Sequence, residues 1–276
     1  MNIDLHCHSN VSDGALAPAD VARRAARAGV AVWALTDHDQ LAGLAEARAA
    51  AEGEGMRFVD GVEISVTWRG GTVHVLGLRI DPGNENLAAG LAAVRDGRLE
   101  RARAMARELQ AAGIDGAYEG ALERAENPAM VSRTHFARYL AAIGAVADTR
   151  DAFRRFLVPG KPGYVPHQWA VLADAVRWIV AAGGQAVLAH PGRYDLSAGA
   201  MDALLQEFRA AGGEAIEVVT GSHSAEQSRH FAAIAAQYDF AASRGSDFHG
   251  PEEGAEFGSL PPLDPRLRPV WHEWAL

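Results

Sequence analysis

The sequence predicts an α/β barrel, and three observations favour this class. Short apolar segments alternate with alanine-rich helical segments over the first 80 residues and again after residue 160, a rhythm typical of parallel strands covered by helices. The chain has 276 residues, a length at which α/β barrels often form a single domain. Side chains that bind metal ions follow several predicted strands, and barrel active sites form at the C-terminal ends of strands.

The first part of the predicted barrel alternates strands and helices. We expect strands over 2–6, 31–36, 58–66 and 73–80, with helices over 18–28 and 41–52. Pro18 suits the first turn of a helix, and Gly70-Gly71 predicts a hairpin between the third and fourth strands.

The alternation stops after residue 84. The turn sequence Asp81-Pro82-Gly83-Asn84 precedes a stretch, 85–158, that is mostly helical and has no clear strand. A segment rich in proline and glycine, 159–166, then returns to the barrel pattern. We therefore predict a barrel domain formed by 1–84 and 159–276, with a helical subdomain, 85–158, inserted between its two parts.

The second part of the predicted barrel resumes the alternation. Helices are expected over 171–182, 201–211 and 226–237, and strands over 185–189, 215–219 and 240–243. Gly183-Gly184 ends the first of these helices. The tail after Pro261 shows no clear regular structure.

Composition excludes several functional classes. A single cysteine, Cys7, rules out an internal disulfide and a thiolate metal cluster. The N-terminus lacks a signal-peptide pattern and no apolar stretch is long enough to span a membrane, so a cytoplasmic location is expected. A formal net charge of −9 disfavours general binding to long nucleic acids. No obligate protein partner is indicated.

Histidines and carboxylates from six separate segments are predicted to meet at the ends of strands. His6 and His8 close the first strand two residues apart, so their imidazoles point to the same side. Clustering carboxylates and imidazoles away from water costs free energy, and divalent cations bound between them offset this cost. A site without thiolates suits Mn²⁺, Fe²⁺ or Zn²⁺, and Mn²⁺ is favoured here. We expect two or three ions, with Glu63 as the bridging carboxylate. The other candidates are Asp13, Asp37, His38, His74, His190, Asp247 and His249.

These residues carry a family resemblance. His6-x-His8, Thr36-Asp37-His38, Glu63, His190-Pro191 and Ser246-Asp247-Phe248-His249 resemble the motifs of the PHP (polymerase and histidinol phosphatase) family of phosphoesterases. The resemblance implies a distorted (β/α)₇ barrel with the helical insertion over its C-terminal face and a centre of three metal ions. By position, the first ion would take His6, His8, Glu63 and Asp247, the second Glu63, His74 and His135, and the third Asp13, His38 and His249.

A narrower resemblance involves the insertion and the return loop as well. Ser132-Arg133-x-His135, the loop 160–166, and the segments 189–194 and 245–250 are similar to the subgroup that includes 3′,5′-nucleoside bisphosphate phosphatases and the 5′→3′ exoribonuclease RNase AM. This resemblance implies a small nucleotide substrate, or a short oligonucleotide. At the third ion, many relatives have histidine where this chain has Asp13.

Further residues are expected to bind the substrate. Arg133, Lys161 and Arg193 are candidates for a cationic shell, because an arginine fork matches two phosphate oxygens. Tyr164 could stack on a base, as could Trp169.

Three residues are expected to assist the reaction. His190 could donate a proton to the leaving alkoxide or hold a phosphate oxygen. Asp37 could orient a ligand imidazole. Arg133 is also a candidate for stabilising charge on the reacting phosphate.

The predicted activity is hydrolysis of the 3′-phosphate of nucleoside 3′,5′-bisphosphates, such as adenosine 3′,5′-bisphosphate, to the 5′-monophosphate and phosphate. Three alternatives remain open at this stage. They are a 5′→3′ exoribonuclease acting on short RNA, a histidinol phosphatase, and a metal-stabilised binding module without turnover.

Overall fold

A computed structural model describes residues 1–275 and contains one eight-stranded sheet. The strands are β1 (Ile3–Asp4), β2 (Val32–Leu35), β3 (Arg57–Trp68), β4 (Gly71–Leu78), β5 (Ala170–Val171), β6 (Gln185–Leu188), β7 (Ala215–Thr220) and β8 (Ala241–Gly245).

The sheet closes into a barrel. Its order is β1-β2-β3-β4-β6-β7-β8, with β5 beside β3. The barrel strands are parallel except for β4, which runs antiparallel to both β3 and β6. The two ends of the sheet meet where the amide of Leu5 donates to the carbonyl of Arg244 at 3.1 Å and that of His8 to Phe248 at 2.9 Å. The predicted seven-stranded α/β barrel is confirmed.

Helices surround the barrel and fill the middle of the chain. Those in the predicted barrel segments are α1 (Pro18–Arg27), α2 (Leu44–Gly53), α8 (Leu172–Ala181), α9 (Ala198–Ala210) and α10 (Ala225–Tyr238). Between β4 and β5 lie α3 (Glu85–Arg95), α4 (Arg98–Ala111), α5 (Ala117–Leu122), α6 (Arg133–Ala142) and α7 (Thr149–Ala152).

Alternate residues of the strands point to opposite sides of the barrel wall. In β2, Val32 and Ala34 join an inner apolar cluster, whereas Trp33 and Leu35 join the larger cluster under the helices. Both faces are therefore buried, which explains why the strands read as short apolar runs. The C-terminal tail closes the N-terminal end of the barrel, where Trp274 packs in the inner cluster and its indole N–H donates to Gln185 at 2.7 Å.

The middle of the chain has an apolar cluster of its own, built from residues between 102 and 157. α3 does not share it, because Leu87, Leu91 and Val94 belong to the main barrel cluster. The proposed domain limits at 84/85 and 158/159 stay a prediction.

Three local details differ from the sequence prediction. β1 covers only Ile3–Asp4, and His6 lies beyond it. Val171 pairs with β3 in a short strand, so the following helix starts one residue later than expected. The β3–β4 turn is centred on Arg69 and Gly70, both at positive φ (46° and 81°), the conformation that two-residue hairpins favour. No helix among residues 1–275 is both long and apolar enough to cross a membrane.

Candidate active site

Glu63 lies at the centre of the candidate site and is fully buried. The chain after β2 continues to pair with β3, since the amide of Asp39 donates to the carbonyl of Glu63 at 2.8 Å, and this pairing sets His38 beside Glu63. His74 reaches the same carboxylate because β4 is antiparallel, which brings its first half to the end of the barrel where the parallel strands finish. One Glu63 oxygen lies 2.9 Å from Nδ1 of His38 and the other 3.0 Å from Nδ1 of His74.

His6, His8 and Asp247 meet where the barrel closes. The amide of Asp247 donates to the carbonyl of His6 at 2.8 Å, which fixes the segment after β8 against the segment after β1. Oδ1 of Asp247 lies 3.3 Å from Nε2 of His6 and 3.2 Å from Nε2 of His8. The same two nitrogens lie 3.4 and 3.3 Å from the Glu63 oxygens.

Asp13, His38 and His249 form a neighbouring group. Oδ1 of Asp13 lies 3.4 Å from Nε2 of His249 and 3.8 Å from Nε2 of His38. Burial pushes the pKa of Asp13 upward, but the imidazoles of His38 and His249 outweigh burial and hold this pKa well below its usual value. Glu63 behaves in the same way: its neighbouring histidines overcome burial and keep the pKa of its carboxyl well below its ordinary range.

The donor set fits divalent metal ions. Four groups bring at least three ligand atoms within 4.8 Å of one another: His8/Asp13/His38/His249, His6/His190/Asp247, His6/His8/Glu63 and His38/Glu63/His74. Within residues 1–275, several buried ligand atoms of these groups make no hydrogen bond despite their short separations. They are Oδ1 of Asp13, Nδ1 of His38, Oε2 of Glu63 and Oδ1 of Asp247. Buried polar atoms are normally satisfied, and cations shared between these atoms would satisfy them.

His190 lies inside this cluster, although the sequence suggested proton donation. Its Nε2 is 3.0 Å from Oε1 of Glu63, and it shares a group with His6 and Asp247. Burial, followed by the charge of Arg193, lowers the pKa of His190 to about 3, so the imidazole is neutral near pH 7. A neutral imidazole suits a metal ligand better than a proton donor.

His135 occupies a place that differs from the prediction. Among the described residues 1–275 it belongs to none of the four ligand groups. Its Nδ1 accepts the amide N–H of Ser132 at 3.0 Å and completes a capping box at the start of α6. Among residues 1–275, the expected grouping of His135 with Glu63 and His74 is not formed in this geometry, because Nδ1 of His135 serves the helix cap.

The insertion still reaches a predicted ligand, through two hydroxyl groups for which the sequence predicted no such contact. The hydroxyls of Ser132 and Thr134 donate to Oδ2 of Asp13 at 2.9 and 3.0 Å. The N-terminus of α6 thus orients Asp13 and leaves its Oδ1 toward His38 and His249. In the sequence, the hydroxyl side chains on either side of His135 are the feature that could have indicated this contact with Asp13.

Asp37 also differs from the prediction. Its carboxylate contacts no ligand imidazole; it accepts the amide of Ser9 at 2.8 Å, the hydroxyl of Ser9 at 2.6 Å and the hydroxyl of Ser12. Asp37 therefore fixes the loop that presents Asp13. The reason is directional: in the extended chain Asp37 points to the opposite side from His38.

A cleft of about 80 Å³ opens above the ligand cluster and carries cationic side chains on its walls. Arg133 and Arg193 line it as predicted, together with Arg98 and Arg101 from α4. Arg98 is paired with Asp39. Among residues 1–275, Arg101 and Arg133 form no ion pair with a carboxylate; each donates to a backbone carbonyl instead, Val165 at 3.0 Å and Leu157 at 3.3 Å.

The surroundings of Arg101 and Arg133 disfavour their charged forms. Burial, and then the charges of Arg133 and Arg98, lower the pKa of Arg101 to about 9. Burial is also the main cause that lowers the pKa of Arg133. A bound anion would relieve both effects.

Two predicted substrate residues are not among the residues that line the cleft. Lys161 is exposed and does not line the cleft, and Tyr164 is not among the lining residues either. Trp169 does line the cleft, but Arg98 and Arg101 lie over its ring at 4.7 and 5.2 Å from the centroid. The indole therefore supports the arginines by cation–π contact rather than presenting a free face to a base.

Arg193 is held close to the ligand cluster. Its Nη1 donates to Oδ2 of Asp247 at 2.7 Å. The turn that carries it is fixed at Gly192, whose N–H donates to Nε2 of His223 at 2.9 Å and whose carbonyl accepts from Gln227 at 2.8 Å. His223 therefore helps to fix the shape of the Arg193 turn.

The barrel, the converging ligands and the cationic cleft define a metal-dependent hydrolase. Comparison with known proteins names the family: the PHP domain matches residues 4–220, and the chain belongs to this family of metal-dependent hydrolases. The predictions of PHP membership and of an enzyme of the phosphoric monoester hydrolase class are thereby confirmed.

Relatives extend over nearly the whole chain. A 3′,5′-nucleoside bisphosphate phosphatase from Chromobacterium violaceum is 56% identical over 99% of this chain and 96% of its own length. A 5′-3′ exoribonuclease from Haemophilus influenzae is 40% identical over 98% of both chains. A solved amidohydrolase structure from Chromobacterium violaceum, with bound sulfate and no metal, superimposes with a TM-score of 0.96 at 55% identity, covering 99% of this chain and 95% of the other.

Proposed function

We propose that this protein hydrolyses the 3′-phosphate of nucleoside 3′,5′-bisphosphates and releases the 5′-monophosphate and phosphate. The observation that carries the proposal is the presence, in one cleft, of the ligand cluster and of two half-buried arginines without a carboxylate partner among residues 1–275, Arg101 and Arg133. Two separate features that attract anions suit a substrate with two phosphates. The 56% identity to a phosphatase of that name supports the same reading.

Each side-chain group has a distinct task in this proposal. The histidines and carboxylates around Glu63 hold the divalent ions, and these ions would polarise the ester and supply an activated water. Arg193, fixed by Asp247, lies beside the reacting phosphate and stabilises its developing charge. Arg101 and Arg133 bind the second, 5′-phosphate, where guanidinium groups match its oxygens.

The charge of the cleft discriminates between the alternative activities. A histidinol phosphatase needs a place for a cationic amino alcohol, and a wall with Arg98, Arg101 and Arg133 repels cations. A second candidate, exonuclease action on short 5′-phosphorylated RNA, is favoured by a groove of about 430 Å³ that shares Arg193 and His249 with the cleft and continues past them. Its far wall carries Asp148, Glu252 and Glu253, which disfavours a long polyanion.

The test compares two substrates that differ only in the 5′-phosphate, adenosine 3′,5′-bisphosphate and adenosine 3′-monophosphate. Arg101→Ala and Arg133→Ala should each lower kcat/KM for the bisphosphate by roughly 10- to 100-fold, the worth of a charge-assisted hydrogen bond, and change the monophosphate by less than about threefold. Arg107→Ala is the control for Arg101→Ala. Arg107 lies on the same helix, α4, and its side chain is 64% exposed.

The outcome separates the candidates. Equal losses for both substrates, or no loss for either, would contradict the assignment of the arginines to the second phosphate. Faster release of nucleotide from a 5′-phosphorylated RNA trimer than of phosphate from the bisphosphate would favour the exonuclease.

A further inference from the structure

Glu217 is a fully buried carboxylate in the middle of β7, outside the set of residues assigned to metal or substrate. Its strand otherwise presents apolar and threonine side chains. A carboxylate at such a position needs partners that justify its burial.

Both oxygens of Glu217 contact elements that carry proposed ligands. Oε1 lies 3.1 Å from Nδ1 of His6, and Oε2 accepts the backbone N–H of His190 at 2.6 Å. His190 has φ 28° and ψ 56°, a left-handed conformation that residues with a Cβ rarely adopt, and Pro191 follows it. One carboxylate thus holds a ligand imidazole with one oxygen and a strained ligand backbone with the other.

The contact with His190 requires an acceptor at Oε2, and an ionised Glu217 accepts at Oε1 as well. The backbone N–H of His190 is only a donor, and an ionised carboxylate is only an acceptor. With Glu217 accepting at Nδ1, the proton of a neutral His6 ring sits on Nδ1 and the lone pair on Nε2. That Nε2 atom is the one 3.4 Å from Glu63 and 3.3 Å from Asp247.

We propose that Glu217 is the positioning residue of the metal centre, fixing the ring orientation and tautomer of His6 and the backbone of His190 at the same time. Partners of this kind, which hydrogen-bond to ligand histidines, commonly set metal affinity by 10- to 100-fold. The inference rests on the proposed metal-binding role of the cluster, but it does not depend on which phosphate ester is hydrolysed.

Glu217→Gln is the most informative variant, because an amide keeps the size of the side chain. Its NH₂ group, a donor, must face either Nδ1–H of His6 or the backbone N–H of His190, which are donors themselves. Mn²⁺ affinity, measured by calorimetry and by competition with a fluorescent chelator, should fall by roughly 10- to 100-fold. Glu214→Gln, the same change at an exposed residue just before β7, should leave it within about twofold. KM for substrate at saturating Mn²⁺ should stay unchanged, whereas general misfolding would not act selectively on the metal.

Wild-type Mn²⁺ affinity in the Glu217→Gln variant would overturn the inference. If that variant fails to fold, Glu217→Asp, which keeps the charge but shortens the side chain and so draws its oxygens away from His6 and His190, is measured in the same way. A loss of Mn²⁺ affinity in this variant supports the proposal, and wild-type affinity overturns it. Normal metal binding without phosphate release would contradict the proposed function and leave this inference standing on the affinity data.

Discussion

Ser132, at the start of an inserted helix, donates a hydrogen bond of 2.9 Å to Asp13 in the loop after the first barrel strand. Thr134 donates to the same oxygen. The insertion is therefore coupled to the barrel through a proposed metal ligand, not only through packing.

Removing one of these bonds should weaken one metal site selectively. Thr134→Val deletes the hydroxyl at nearly constant size, and we expect the Mn²⁺ held by Asp13, His38 and His249 to bind about tenfold more weakly. Titration calorimetry should show this loss in one binding step only. Thr149→Val, at the start of α7, is the control. A loss spread equally over all Mn²⁺ steps would contradict the coupling.

His135→Gln should leave metal binding intact, because this histidine caps α6. Glutamine is the regular partner in a capping box and accepts the same amide hydrogen. The variant should bind as many Mn²⁺ ions as the wild type, as measured by metal analysis after gel filtration. His74→Gln, which alters a residue of the Glu63 group, should lower the stoichiometry or the affinity. A missing ion in His135→Gln would restore the role first expected from the sequence.

The same variant should change the pH dependence of stability. Burial lowers the pKa of His135 from 6.5 to about 4, so between these values the unfolded chain takes up a proton that the folded protein does not. Wild-type stability therefore falls, relative to His135→Gln, as the pH decreases from about 6.5 to about 4, by at most about 1.4 kcal/mol per pH unit. Urea unfolding of the metal-free proteins across this range measures the difference. A difference independent of pH would show that His135 does not titrate in this way.

Lys161→Ala should leave catalysis nearly unchanged. Lys161 is exposed and lies outside the cleft lining, so kcat/KM for adenosine 3′,5′-bisphosphate should stay within about twofold of wild type. A loss as large as that of Arg101→Ala would mean that the return loop reaches the substrate.

Gly245→Ala should destabilise the barrel closure. A Cβ atom at this position would meet Cβ of His6 at 2.3 Å and its backbone nitrogen at 2.6 Å, a clash that typically costs about 1–3 kcal/mol. Gly53→Ala is the matched control, because a Cβ there meets nothing within 4 Å. Denaturant unfolding should show a loss for the first variant only. Equal stability of both would contradict the close packing of the strand ends.

Sequence reasoning reached the barrel and the ligand cluster because both depend on local patterns. Alternating elements predict parallel strands, and His6, His8 and Asp247 follow strands whose ends must meet. Side-chain direction within an insertion has no such rule: Arg101 enters the cleft from α4 with no neighbouring motif, and His135 turns back to its own helix.

Glu217 shows a second limit of the sequence. A single glutamate within an apolar strand gives no indication of the partners that its side chain contacts in the folded barrel. Pairing with β6 brings β7 next to the His190 segment, and closure of the sheet brings it near the end of β1.

The most direct measurement is phosphate release from adenosine 3′,5′-bisphosphate by the purified protein, before and after removal of divalent ions with a chelator and again after adding Mn²⁺. We predict turnover that disappears with the ions, returns with Mn²⁺, and exceeds the rate with adenosine 3′-monophosphate by at least tenfold in kcat/KM. Undiminished turnover after chelation, or a Mn²⁺-loaded protein that releases no phosphate from the bisphosphate, would contradict the account.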